Sequence, residues 1–500
     1  MSEAMITASQ PSFSPSFTAQ STAFSRDGRH TQEKATFRLP LWVWASAGAL
    51  AVWGAFSANP LLTPAAILIV VVSTQLLWRR GEPPVLAFAC AMQWLQAAAV
   101  IFYTDFYGTS LAEAGGRPEF ETATWLSLIA VFVLALGMRI ALVRCRDSQH
   151  ARLVAEALHV NIANAFIAYL ISFAVAAIAE RVAFAVPPVT QLIYAFTTLK
   201  WLAVFILAYC IIEQRAGYIF LAGVVTIETA VGLLGFFASF KSVFFVLLVV
   251  ALTSPFALRG KRLALSVLIA VALFVFGVVW SAIKADYRQF LNQGSDQQVV
   301  AVSVDESAEK LGDLITGFTW DNFINGLDSM ILRVGYTSYF ALTLANVPDS
   351  VPYEHGALWL GSLKHIVTPR LFFPEKEAIS DSDRTTLYTG VVVANEERGT
   401  SIGIGYVAES YVDFGPILMF GPIFLLGVFY GLIYRGFVIH SQSKLICTAM
   451  ASAILIFGAY TIETSNIKLV GGNVTAVLVM SVLYFIFGRP FRAWLEPRQR

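Results

Sequence analysis

Twelve stretches of roughly 17–25 mostly apolar residues recur along this chain, and that recurrence leaves few folds open to it. In hydrocarbon no water meets the backbone N–H and C=O groups, so a spanning segment must satisfy them internally, as an α-helix does over about 20 residues. The stretches lie near 40–58, 60–78, 84–103, 122–142, 161–179, 188–212, 218–238, 242–258, 263–282, 415–435, 445–462 and 471–488. A composition of 57% hydrophobic and 13% charged residues, with mean hydropathy +0.67, is too apolar for a soluble globule. The expected fold is an all-α polytopic membrane protein with about 12 transmembrane helices.

Lys and Arg are retained on the cytoplasmic side of a membrane, which gives the chain an orientation. With the N-terminus inside, Arg26 to Arg38, Arg79 and Arg80, Arg139 to Arg152, Arg215, Arg259 to Arg262, Arg435 and Arg489 to Arg500 all face the cytoplasm. The opposing links around Ser57, 104–121, 180–187 and 461–467 are short or acidic. Lys241, in a tight turn between two spans, is the exception. The expected organisation is a disordered cytoplasmic tail over 1–39, nine spans over 40–282, a large external loop domain over 283–409, three spans over 410–488, and a basic cytoplasmic tail over 489–500. Residues 1–39 are rich in Ser, Thr, Ala and Gln without an apolar block, and the late first apolar stretch argues against a cleaved signal peptide. A net charge of +1 gives no reason to expect nucleic acid. The four cysteines form no disulfide or metal framework, three falling inside apolar segments and Cys145 in a basic link.

The interval 283–409 is the long polar stretch in this apolar chain, with roughly twice as many acidic as basic residues. Ser303 and Glu306 have the spacing of a capping box, and Leu311, Leu314, Ile315 and Phe318 recur with helical period behind it. Further apolar-periodic runs extend from Asp321 to about Asn346 and from His355 to Val367, stopped by Pro369. They read either as helices lying on the interface or as packing that ties the loop to the bundle.

Several residues could carry chemistry. Lys241 puts an ammonium at an outer turn, suited to a lipid-linked phosphate or to snorkelling at the interface. Arg370 follows Pro369, and a guanidinium is a planar fork that fits phosphate. Lys376, Arg384 and Arg398 add cations nearby, and Arg333 could join them; each could equally pair with Glu375, Glu377, Asp381 or Glu397. Glu409, at the mouth of the tenth span, is a candidate raised-pKa base. His365 is the other candidate base. Lys200 and Glu228, central in two spans, read as a structural pair or a functional one. Asp381-Ser-Asp383 has the spacing of a metal pair but reads as a flexible acidic turn. No Walker A pattern, dinucleotide-binding loop, paired-cysteine motif, HExxH or GxSxG stands in a suitable context, so no cofactor or metal is expected.

In its Phe-Lys-Ser turn at 240–242, its Thr368-Pro-Arg-Leu-Phe-Phe-Pro-Glu-Lys376 segment, its 400–415 run and its late external loop, the chain resembles bacterial polysaccharide repeat-unit polymerases of the Wzy type, relatives of the O-antigen ligases. The resemblance implies a metal-independent, GT-C-like glycosyltransferase of the bacterial inner membrane, with both termini cytoplasmic. Its substrates would be undecaprenyl-diphosphate-linked glycans, and a chain-length co-polymerase would be its partner. Lys241, Arg370 and Arg398 would hold the diphosphate, with Lys376 and Arg384 beside them, and Glu409 or His365 would activate the acceptor hydroxyl. Trp320, Tyr336, Tyr388 and Tyr406 could stack on sugars. An O-antigen-type ligase shares this chemistry, and a flippase of lipid-linked oligosaccharide is the alternative from another class.

Overall fold

The computed structural model describes residues 39–79, 81–143, 150–183, 189–234, 240–253, 261–295, 300–368, 373, 380–394, 401–439 and 443–496, and among these the regular elements are helices. Before the polar interval come α1 (Leu41–Gly54), α2 (Leu62–Leu77), α3 (Val85–Phe106), α4 (Leu111–Gly115), α5 (Glu119–Ala141), α6 (His150–His159), α7 (Ile162–Ala183), α8 (Thr190–Tyr194), α9 (Thr198–Gln214), α10 (Tyr218–Leu234), α11 (Lys241–Thr253) and α12 (Lys261–Leu291). Within it lie α13 (Val304–Thr316), α14 (Trp320–Val334), α15 (Ser338–Asn346), α16 (Ala357–Val367) and α17 (Asp381–Thr389). The chain continues with α18 (Tyr406–Leu418), α19 (Phe420–Ile439), α20 (Lys444–Gly458) and α21 (Asn466–Leu495).

Each of the twelve expected spans falls on a helix, and among the described residues six helices are long and apolar enough to cross a membrane: α3, α5, α7, the continuous 190–214 stretch of α8 and α9, α19 and α21. The protein is thus an all-α, multi-pass membrane protein with six candidate spans among the described residues. Apolar composition does not register where a helix stops. α20, at 15 residues, covers about 22 Å against a hydrocarbon core of about 30 Å. Its residues from Lys444 to Ile456 are all buried, so its apolar character serves protein neighbours.

α5 and α19 make the most extensive helix pairing among the described residues. Small residues permit it. A Cβ on Gly427 would strike the Leu134 carbonyl oxygen, and one on Gly137 the Phe424 carbonyl oxygen, so the two backbones touch where side chains would hold them apart. Gly415, at φ 70°, and Pro416 break α18 near its end, ahead of the boundary with α19 at Met419.

The polar interval does not form a large domain of its own. α13 packs on α12, α14 on α12 and α3, α15 on α5, and α16 on α21. The physical reason is that the apolar faces of these helices are shared with the bundle: Phe340, Ala341, Leu358 and Tyr388 belong to the same buried cluster as the residues of α3, α5 and α19. Of the two readings of these helices, the structure favours packing. The expected capping box is present, with Ser303 Oγ accepting from the Glu306 N–H, and Leu311, Leu314 and Phe318 pack behind it on Trp280 and Tyr287 of α12. The run from Asp321 to Asn346 is two helices rather than one. It breaks where Tyr336 gives its N–H to the Gln96 carbonyl of α3 (3.0 Å).

The link between α20 and α21 is recessed. Gln93 donates to the Ala459 carbonyl (2.7 Å), and Gln96 accepts from the Ile462 N–H (2.6 Å) and donates to Thr461 Oγ1 (3.3 Å). Gln93 and Gln96 are the ninth and twelfth of the 22 residues of α3, so irregular backbone reaches the middle of a spanning helix. Such backbone is tolerated at that depth only where protein satisfies it, which these two side chains do.

Candidate functional site

Around this recessed link the structure gathers charge. Gly405, at φ 86°, lies so close to the Ile462 carbonyl oxygen that a Cβ would collide with it. The turn is fixed further by the Tyr406 N–H, which donates to the Thr464 carbonyl (3.0 Å). That start of α18 aims Glu409 inward, where it is 1% exposed. Its Oε2 accepts the Asn466 N–H at 2.6 Å, and its Oε1 lies 3.5 Å from Nη1 of Arg384 on α17. Burial raises its pKa to about 7; the Asn466 N–H and Arg384 pull it down, and Asp381 and Asp413 push it up. α18 is not among the candidate spans.

α17 is clamped over this carboxylate. Asp381, 4% exposed, pairs with Lys468 of α21 at 2.7 Å. Thr385 Oγ1 donates to the Ile402 carbonyl (2.7 Å), and the Ile402 N–H donates to Ser382 Oγ (3.0 Å). Asp381-Ser-Asp383 is therefore the first turn of a helix capped by Ser380, which accepts the Asp383 N–H, and not a flexible turn. Ser362 of α16 donates to Asn466 Oδ1 (2.5 Å), which joins a fourth helix to the group. Two buried polar atoms at this junction, Asp381 Oδ1 and Asn466 Nδ2, have no hydrogen-bond partner among the described residues, and Arg384 Nη1 has the Glu409 carboxylate alone. Buried polar atoms are nearly always hydrogen-bonded, so two orphans beside one carboxylate mark a place prepared for polar company.

A second cluster lies across the link. Lys241 begins α11, Lys284 and Arg288 sit near the end of α12, and Arg333 ends α14, 3.3 Å from Glu463 of the link. Phe240, beside Lys241, packs edge-on against Phe276 and Trp280 of α12 and brings the turn to that helix. Lys241 stands within electrostatic range of Glu463 and Arg333. Lys284 has its pKa lowered by burial and then by Arg288, Arg333 and Lys241, and Arg288 by burial and then by Arg333. Tyr336 joins the clusters: its buried ring lies within range of Glu463, Arg333 and Asp381, and its hydroxyl donates to the Gly403 carbonyl (2.5 Å).

Of the residues expected from sequence, Glu409 and Arg384 are brought together, whereas Lys241 joins Arg333 and Glu463 instead. His365 is half-buried on α16, three residues beyond Ser362. Arg370, Lys376 and Arg398 lie outside the described residues. Three of the four proposed sugar-stacking aromatics are buried with their hydroxyls engaged: Tyr336 to Gly403, Tyr388 to Glu354 (3.0 Å) and Tyr406 to Gln93 (2.6 Å). Their polar tips found partners inside the protein, so they are corrected to packing residues; Trp320 alone of the four is exposed, at 71%. Lys200 and Glu228 do pair, at 2.9 Å, with Tyr169 donating to the same carboxylate. Among the described residues no group of three His, Cys, Asp or Glu is placed to hold a metal ion. Sequence reasoning missed Asn466, Lys468, Glu463, Lys284 and Arg288. The polar run Glu463-Thr-Ser-Asn-Ile-Lys468 between two apolar helices was the available signal for the first three.

No curated protein and no solved structure matches the chain. Residues 119–484, about three quarters of the sequence, match a family described as a domain of unknown function (DUF8712), and the match takes in α18, the link and every charged residue of both clusters. The chain belongs to that family.

Proposed function

We propose that this protein is a membrane glycosyltransferase that polymerises undecaprenyl-diphosphate-linked oligosaccharide repeat units at the outer face of a bacterial inner membrane. The observation that carries the reading is the pairing of an enclosed carboxyl of pKa about 7, beside two unsatisfied buried polar atoms, with a neighbouring set of cations in which Lys241 and Arg333 stand by Glu463 and Lys284 and Arg288 stand by Arg333. Cations in excess of carboxylates at a low-dielectric boundary suit a diphosphate, whose departure they ease by neutralising the charge that develops on it.

In this scheme Lys241, Lys284, Arg288 and Arg333 hold the diphosphate of the donor lipid, with Arg370, Lys376 and Arg398 as further cations. The acceptor sugar's hydroxyl oxygen attacks the anomeric carbon of the donor. The bond from that carbon to the diphosphate oxygen breaks with its electron pair on the diphosphate, and the hydroxyl proton passes to Glu409, with His365 the other candidate. Glu409 is enclosed when α17 is clamped, so the acceptor reaches it when the Arg384 and Asp381 contacts part. No nucleotide or metal is invoked.

The test is chain extension by the purified protein, reconstituted with lipid-diphosphate-linked repeat units. Glu409→Gln and Lys241→Ala should each abolish it while leaving protein abundance unchanged; extension undiminished in both would end the proposal. Glycan profiling of a deletion strain separates the neighbouring activities. Single capped repeat units indicate a polymerase, long chains left on the lipid carrier a ligase, and intermediates held in the inner leaflet a flippase.

A further inference from the structure

Beyond both charged clusters, the end of α12 and the start of α13 enclose a trough of about 590 Å3, within the size range of small-ligand sites. Asp286, Gln289 and Phe290 line it from α12 at spacings of three and four residues, one face of a helix, Gln293 lines it from the turn that follows, and Glu306 and Lys310 line it from α13. Lys284 and Arg288 stand two residues either side of Asp286 and so point from other faces. The trough is separate from the cation cluster. Gln293 is held at φ 51°, in the left-handed region that a glutamine rarely adopts, and Gly294 follows at φ 73°. Backbone held in so sparsely populated a conformation is a feature of binding sites.

The side chains of Asp286, Gln289 and Gln293 make no hydrogen bond or ion pair among the described residues. Lys310 lies over the Phe290 ring at 5.8 Å. Two carboxylates against one ammonium disfavour an anion. Primary amides and carboxylates offer donors and acceptors to groups that are both at once, as hydroxyls are, and Phe290 gives an apolar floor. We propose that this trough binds a neutral, hydroxyl-rich saccharide unit of the lipid-linked chain, away from the diphosphate. The assignment of the chain as the source rests on the transferase reading; the chemistry of the trough does not.

The test applies the full-length protein in detergent micelles to an array of neutral, amino-bearing and acidic oligosaccharides, beside Gln289→Ala and Gln293→Gly. Glycine accepts the backbone conformation at 293, so that variant removes the amide without straining the fold. The expected result is binding to neutral oligosaccharides that falls roughly tenfold in each variant, as for loss of one or two hydrogen bonds. Binding that the variants retain, binding confined to acidic glycans, or no binding would overturn the proposal. If the trough fails this test while Lys241→Ala still stops chain extension, the transferase reading stands. If neutral glycans bind the trough but Lys241→Ala extends chains normally, the reverse holds.

Discussion

Glu409, with its pKa raised to about 7 chiefly by burial, binds a proton more tightly in the folded protein than in the unfolded chain, where its value is near 4.5. Its contribution to stability is therefore complete below about pH 4.5 and is lost as pH rises through 7, by on the order of 3 kcal/mol. Thermal unfolding in detergent should show a midpoint that falls across this window in the wild type, and a smaller fall in Glu409→Gln, which stays neutral throughout. Arg384 opposes the rise by favouring the charged form. Arg384→Ala should thus push the carboxyl further up, moving the acid limb of the pH–rate profile for chain extension to higher pH. An unmoved limb would show that Glu409 is not the group that titrates in the reaction.

At the scale of the element, the α5–α19 contact depends on the absence of side chains at Gly427 and Gly137. Gly427→Leu should sharply reduce the yield of folded protein, because nothing on the facing backbone can give way. Gly436→Ala, in the same helix but with open space around it, should be tolerated. Size-exclusion profiles of the two variants in detergent make the comparison. What was legible in the sequence divides along the same line between local and distant causes. The capping box at Ser303 and the apolar period behind it could be read because both act within a few residues. The break after α14 was not read, although Gly335 stands there; the contact made at it, a hydrogen bond from Tyr336 to Gln96 of α3, comes from more than two hundred residues earlier. Glu409 stood out as a carboxylate near a helix mouth. That Arg384 would face it depends on how α17 folds back over residues 401–403, which no spacing reveals.

For the whole molecule, charge placement predicts that α13 faces outward and α6 the cytoplasm. Cys90, Cys210 and Cys447 are buried, so in a Cys145→Ser background a single introduced thiol can report topology. Asp305→Cys should react with a membrane-impermeant maleimide on cells whose outer membrane has been opened, whereas His159→Cys should react only after the inner membrane is permeabilised. The reverse pattern would put the candidate site on the wrong side for a lipid-linked donor. The same scale explains why apolar composition does not by itself mark a span: helices such as α20 are apolar because other helices surround them, and hydropathy cannot tell a neighbour from a lipid.

The halfway depth of the 459–465 link, tethered by Gln93 and Gln96 to the centre of α3, has a mechanical corollary. In the proposed reaction a donor lipid would sink its charged head below the plane where its neighbours keep theirs, and the surrounding leaflet would dimple to let it. Thicker leaflets resist that dimple. Turnover in liposomes should then decline as acyl chains lengthen, with binding of the soluble glycan unaffected, so that the fatty-acid composition of the host would itself set the pace of the reaction.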